Sequence, residues 1–109
     1  MRKSDAGTED PQLEVAAGIL RALTHPLRMK ILAFIDQNDK INVNKIYNSL
    51  GLEQSITSQH LRILRTADLV VPQRDGKFIF YSINYPRMTT SVAAINKFLE
   101  RSEMGTEAE

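Results

Sequence analysis

The chain has 109 residues, 42% of them hydrophobic and 25% charged, with a net charge of +1, which sets one ordinary globular domain as the expectation. Without a cysteine it can hold no disulfide, thiolate metal site or thiol redox switch. No apolar run approaches the roughly 20 residues that a bilayer-crossing helix needs, and Met1–Asp10 lacks the apolar stretch of a secretory signal, so no membrane partner is expected and the expected compartment is the cytoplasm.

In chain order, residues 1–12 read as a disordered tail. Leu13, Ala16, Ala17, Leu20 and Leu23 recur at helical spacing, with Ile19 widening the stripe, which predicts a first helix from about Leu13 to Leu23. Thr24-His25-Pro26 ends it and starts the next, because proline is well tolerated where its missing N–H would be unpaired anyway. His25 beside that start reads as a structural cap. The second helix carries Leu27, Ile31, Leu32, Phe34 and Ile35 and ends in the polar Gln37-Asn38-Asp39-Lys40. Ile41-Asn42-Val43 is expected to be a short link, with Asn42 and Asn44 a polar lead-in to a third helix from about Asn44 to Leu50. That helix turns Ile46, Tyr47 and Leu50 inward, and Gly51 ends it as glycine does at a left-handed helix terminus.

The fourth helix spans about Gln54 to Ala67. Ile56, Leu61, Ile63 and Leu64 form its expected buried side, leaving Ser55, Ser58, Gln59 and Arg62 on the other and His60 near the boundary. Short hydroxyl and amide side chains are poor core material but good partners for base edges and phosphates. Asp68 suits a left-handed residue after the helix. Leu69–Gln73 and Lys77–Ile83 read as strands joined through Asp75-Gly76, a signal for a type I′ hairpin turn, and Pro72 suits the edge of a two-stranded ribbon. Pro86 opens a fifth helix to about Arg101, with Met88, Val92, Ile95 and Leu99 at i, i+4, i+7 and i+11 and Ala94 and Phe98 broadening the stripe. Residues 102–109 read as a second disordered tail.

From Leu50 to Ile83 this order describes a helix-turn-helix followed by a wing whose tip is Arg74-Asp75-Gly76-Lys77. The fold class is mainly α (α+β): a winged helix-turn-helix of five helices and a two-stranded hairpin, one domain over residues 13–101. Double-stranded DNA is the expected partner. Candidate DNA contacts are Ser55, Thr57, Ser58, Gln59, His60, Arg62 and Arg65 on the helix and Arg74 and Lys77 on the wing. Charge is distributed accordingly. Residues 1–12 and 101–109 hold three basic and six acidic side chains, which leaves 11 basic and 7 acidic in between, a balance of +4. An enzyme is not expected: two separated histidines, no Gly-rich phosphate loop and no nucleophile–base pair leave nothing to catalyse with, and no cofactor is implied. The other reading is a winged-helix module that binds protein, since a fold does not fix a function; such a module would more often present an apolar patch where helix 4 is polar.

Three blocks carry a resemblance to a known family. Leu23-Thr-His-Pro-Leu-Arg-Met-Lys-Ile-Leu32 is similar to the opening signature of the arsenic-repressor (ArsR) family. Ser49 to Arg65, with Ser-Gln-His-Leu at Ser58–Leu61, resembles its recognition-helix block. Ala67-Asp-Leu-Val70, followed by Arg74-Asp-Gly-Lys77 and Tyr81, resembles the end of that helix and the wing. Together these cover roughly residues 13–100. The resemblance implies a transcriptional regulator, commonly a repressor, acting as a homodimer held by its first and last helices. The apolar stripes agree, with Leu13, Ala16, Leu20, Met88, Val92, Ile95 and Leu99 as the candidate interface. Two copies of helix 4 would then sit about 34 Å apart on an inverted-repeat operator. Many relatives sense metals through cysteines at the start of helix 3 or Asp, His and Glu ligands on helix 5. This chain places Asn42 and Asn44 at the first set and, by approximate register, Tyr85, Arg87, Phe98 and Arg101 at the second. Neither set suits Zn²⁺ or a softer ion, so no metal site is expected and the effector is not legible in the sequence.

Overall fold

In the computed structural model, residues 11–108 are described, with the side chains of 12, 13, 98 and 101–108 excepted. Of the expected tail over residues 1–12, residues 1–10 lie outside the described residues, as do the side chains of Leu13, Phe98 and Arg101, whereas residues 11 and 12 already belong to the first helix. The elements run α1 (Pro11–Leu23), α2 (Pro26–Asn38), β1 (Lys40–Asn42), α3 (Val43–Leu50), α4 (Gln54–Thr66), β2 (Val70–Asp75), β3 (Phe78–Ile83) and α5 (Tyr85–Ala108). All five expected helices form. The last continues to Ala108, past the expected end at Arg101. No proline follows to stop it, and the one glycine in the added stretch costs a helix only about 1 kcal/mol.

Local chemistry accounts for the helix boundaries. His25 caps α2: its Nδ1 accepts the Leu27 N–H at 3.1 Å, and Pro26 follows in the first turn. Asp39 leaves α2 with φ +68° and ψ −53°, a rare γ-turn-like conformation outside the left-handed helical well, with its N–H on the Asp36 carbonyl at 3.4 Å. Asn42 caps α3, its Oδ1 accepting the Lys45 N–H at 2.8 Å. At the other end Gly51 has a φ of +67°, and the Leu52 N–H closes back on the Tyr47 carbonyl at 2.8 Å.

Two sequence expectations for the sheet are corrected. The expected link Ile41-Asn42 lies in strand β1, which pairs antiparallel with β3 and makes the sheet three-stranded in the order β1-β3-β2. Pairing satisfies the backbone of buried Ile41, which a loop would leave without partners. The hairpin turn is also displaced by one residue. Asp75 pairs with Phe78, so Gly76 and Lys77 are the central residues, and only Gly76 (φ +66°) has a positive φ. That sign pattern belongs to a type II′ turn, with glycine first, rather than the expected type I′. Pro72 sits on β2, an edge strand, where its missing N–H breaks no ladder bond on the outer side.

The core gathers where α2, α3 and α4 meet the base of the sheet. Ile31 and Ile35 of α2, Ile46 of α3, Leu61 and Leu64 of α4, and Leu69 and Val70 at the start of the hairpin are completely or almost completely buried. Tyr81 and Ile83, two residues apart on β3, present the same face to this cluster. Each such side chain stabilises the fold by roughly 1.5–3 kcal/mol relative to exposure. From α1, Ile19 and Ala22 join the cluster; from α5, Met88 and Ile95 pack against it while only half-buried. The outer sides of these two helices stay open: Leu20, Val92 and Leu99 are 47%, 45% and 53% exposed.

Candidate nucleic-acid interface

Helix α4 is seated by a stripe at i, i+4 and i+7: Thr57, Leu61 and Leu64 are its buried residues. This corrects two expectations. Ile56 and Ile63 were expected inside but are 39% and 42% exposed. Thr57, a candidate DNA contact, is wholly buried, its hydroxyl donating to the Glu53 carbonyl at 3.0 Å. The displacement has a physical cause. A threonine hydroxyl can satisfy itself on the preceding helical turn, so the residue behaves as a small core residue. A stripe counted only from Ile and Leu is therefore rotated away from the true one.

With the stripe set, the outward face follows. Ser55, Gln59, Arg62 and Thr66 fall at i, i+4, i+7 and i+11 and are all exposed, with Ser58 and Arg65 exposed alongside. Amides, hydroxyls and guanidinium groups in this arrangement can reach base edges and phosphates from one helix lying in a groove. Arg65 also lies in the last turn, where a cation complements the helix dipole.

His60 occupies a different position from its neighbours. It is half-buried, and its ring faces the start of α2: Arg28 Nη1 donates to His60 Nδ1 at 3.3 Å, and the His25 and His60 ring centroids lie 4.7 Å apart. A guanidinium can only donate, so Nδ1 accepts and the neutral ring carries its proton on Nε2. Burial, and then the nearby His25 and Arg28, hold His60 below its ordinary value of 6.5. Arg28 is itself anchored, with Nε on the Ala22 carbonyl at 2.9 Å and Nη2 on the Arg21 carbonyl at 3.1 Å. His60 thus joins α4 to the start of α2 and lies half-buried at the boundary of the groove face.

The wing brings Arg74 on β2, opposite Ile79, and Lys77 in the turn to one exposed tip. Lys77 Nζ lies 5.9 Å from the Phe78 ring centroid, close enough for a weak cation–π attraction. At the far end of α4, Asp68 has the expected left-handed conformation (φ +66°). Asn84 then ties the hairpin to α5: its Nδ2 donates to the Asp68 carbonyl at 3.0 Å, and its Oδ1 accepts the Arg87 N–H at 3.2 Å. Arg28 and Asn84 were not singled out from the sequence. For Asn84 a signal existed, a cap-type residue two positions before Pro86; for Arg28 the signal was its place in the Leu23–Leu32 block, but its partners come from elsewhere in the chain. Among the described residues no three His, Cys, Asp or Glu side chains gather closely enough to hold a metal ion.

Comparison with known proteins places this geometry. The model of the family described as "Bacterial regulatory protein, arsR family" matches residues 25–71, from the cap of α2 into β2. Over 92 residues the chain is 35% identical to the transcriptional repressor PagR of Bacillus anthracis, covering 84% of this chain and 92% of that protein. Over 82 residues it is 34% identical to the HTH-type transcriptional regulator YgaV of Escherichia coli, covering 75% and 83%. Among solved structures, NolR from Sinorhizobium fredii superposes with a TM-score of 0.66 at 34% identity, covering 80% of this chain and 86% of that one.

Proposed function

The chain belongs to the arsR family of bacterial regulatory proteins, which are DNA-binding transcriptional regulators and not enzymes, and from that premise we propose a homodimeric repressor that reads an inverted-repeat operator. The observation that carries this reading is the exposed polar face of α4, continuous from Ser55 through Gln59 to Arg62 and flanked by Ser58 and Arg65. In this arrangement Gln59 and Arg62 contact base edges, the serines and Arg65 contact phosphate and sugar, and Arg74 and Lys77 hold the neighbouring backbone. The dimer forms through α1 and α5, whose Leu20, Val92 and Leu99 remain open to a partner. A two-fold axis there pairs the same surface with itself and sets two copies of α4 about one DNA turn, roughly 34 Å, apart.

The switch is not the metal switch of the metal-sensing relatives. Asn42, which stands at one of their ligand positions, serves as the cap of α3. At the other, Tyr85 donates to Asp36 at 2.6 Å and Arg87 donates through Nε to the Ala67 carbonyl at 3.3 Å. These are phenol and guanidinium groups already engaged in holding α5 to the domain, and a guanidinium cannot ligate a cation.

The test uses operator DNA located by genomic footprinting and fluorescence anisotropy at fixed salt. Gln59→Ala and Arg62→Ala each weaken operator binding by about 1–3 kcal/mol, and the loss is smaller on non-specific DNA. Unchanged affinity in both variants would remove the outward face of α4 from the DNA.

A further inference from the structure

Beside the reading helix lies a cleft of about 540 Å³, walled by α1, Arg28 of α2, the C-terminal half of α4 and the start of α5. Its apolar surface comes from Val15, Ile19, Ala22 and Ile63, and four arginines line it (Arg21, Arg28, Arg62 and Arg87) against one carboxylate, Glu14. Four positive charges and one negative leave an excess of three in one concavity. Two of the four are held in place. Arg28 is fixed by the Ala22 and Arg21 carbonyls and by His60, and Arg87 by the Ala67 carbonyl. Carbonyl oxygens and a neutral imidazole orient a guanidinium without neutralising it.

A second observation concerns α1. Gly18 stands in the middle of that helix and on the wall of the cleft, and a Cβ built there meets nothing within 4 Å. Glycine in a helix interior is less favourable than alanine by about 0.5–1 kcal/mol, and no close packing requires it at this place. What the missing side chain leaves is open space on a cleft that the four arginines also line.

We propose that this cleft binds a small organic anion, a carboxylate on an apolar skeleton, and that its occupancy releases DNA. The volume is that of a small-molecule site, mostly apolar with a few convergent polar groups. A carboxylate is the partner that a guanidinium fork matches best, and the apolar walls take the rest of the molecule. The coupling runs through Arg62, which lines the cleft and also lies on the outward face of α4. An arginine drawn to a bound carboxylate is withdrawn from the groove, so ligand and operator compete. This second half of the proposal rests on the DNA reading of α4; the binding half does not.

The experiment separates the two. Octanoate and its neutral counterpart octan-1-ol are titrated calorimetrically into the full chain without DNA, and octanoate is then added to the operator complex in an anisotropy assay. Octanoate is expected to bind at least about tenfold more tightly than octan-1-ol, as one charge-assisted contact implies. Gly18→Leu, which fills the space and favours the helix, and Arg21→Gln should each weaken octanoate binding by about tenfold or more. Equal binding of acid and alcohol, or octanoate binding unchanged in Gly18→Leu, overturns the site. So does a sedimentation coefficient altered in Gly18→Leu, which would make the cleft a contact between copies. If octanoate binds as expected but leaves the operator complex intact, the coupling through Arg62 is wrong while the site stands. If Arg62→Ala has also left operator affinity unchanged, the fault lies in the DNA reading of α4.

Discussion

The two halves of this molecule bury their apolar surface in different ways. In the half built from α2, α3, α4 and the hairpin, Ile31, Ile35, Ile46, Leu61, Leu64 and Leu69 are closed off by residues of the same chain. In the layer formed by α1 and α5, one edge of each stripe reaches that core through Ile19 and Ile95, while Leu20, Val92 and Leu99 stay about half exposed. The core of the first half is complete in one copy; Met29, Ile56, Ile63, Val71, Phe78 and Ile79 lie on its surface, singly or on the wing, beside the polar face of α4 from Ser55 to Arg62. The second carries more apolar surface than its own chain covers, which is the condition under which association with a second copy is favourable. In the proposed function, reading DNA and presenting the reader twice fall to separate parts of one small fold.

The sharpest way to break this comparison is to charge the open layer. Val92→Glu is expected to leave the helical signal intact, convert the dimer to a monomer by analytical ultracentrifugation, and lower operator affinity by about 10²–10⁴-fold, the gain a linked second site provides. A wild-type monomer at micromolar concentration would end the dimer reading outright. In the self-contained half the response is the reverse. Leu61→Ala should cost about 2–5 kcal/mol in urea unfolding, because it opens a cavity in a closed core. Val92→Ala, from a half-exposed position, should cost well under half of that in the monomer. Equal losses at the two positions would erase the distinction.

Smaller effects refine it. Arg74→Ala should weaken binding by a similar factor on all sequences and reduce the salt slope of binding by about one, as expected for a contact to a phosphate. The smallest effect expected is in pH dependence. His60 is held below 6.5 in the folded chain, chiefly by burial, so the unfolded chain takes up the proton first as pH falls. Stability should therefore decline as pH falls below 6.5 toward the folded-state value and level off beneath it. His60→Gln should flatten the melting temperature across that window, and a profile as steep as wild type would show that His60 is not its source.

Most of the fold was legible because helical periodicity and helix punctuation are local. The caps at His25 and Gly51, the left-handed Asp68 and the edge position of Pro72 each follow from the chemistry of a few neighbouring residues. The family resemblance rests on equally contiguous blocks. Two of the misreadings depended on partners distant in the chain, and that of Thr57 on a bond within its own helix. Ile41 is a strand residue only because Tyr81 lies opposite it in β3. Thr57 belongs inside because its hydroxyl finds the Glu53 carbonyl, and that small rotation moves Ile56 and Ile63 to the surface. His60 was grouped with the DNA contacts by its place in a motif, whereas tertiary packing gave it Arg28 and His25 as neighbours.

The sequence by itself determined the helix-turn-helix, the wing and the outward side of α4 from Ser55 through Gln59 to Arg62, because period, caps and turn residues act over one or two helical turns. Only the tertiary structure decided that Thr57 lies inside, that the sheet has a third strand, and that four arginines from α1, α2, α4 and α5 line one cleft. Those outcomes require residues up to 66 positions apart, Arg21 and Arg87, to meet around one cavity, and no local pattern encodes such a meeting.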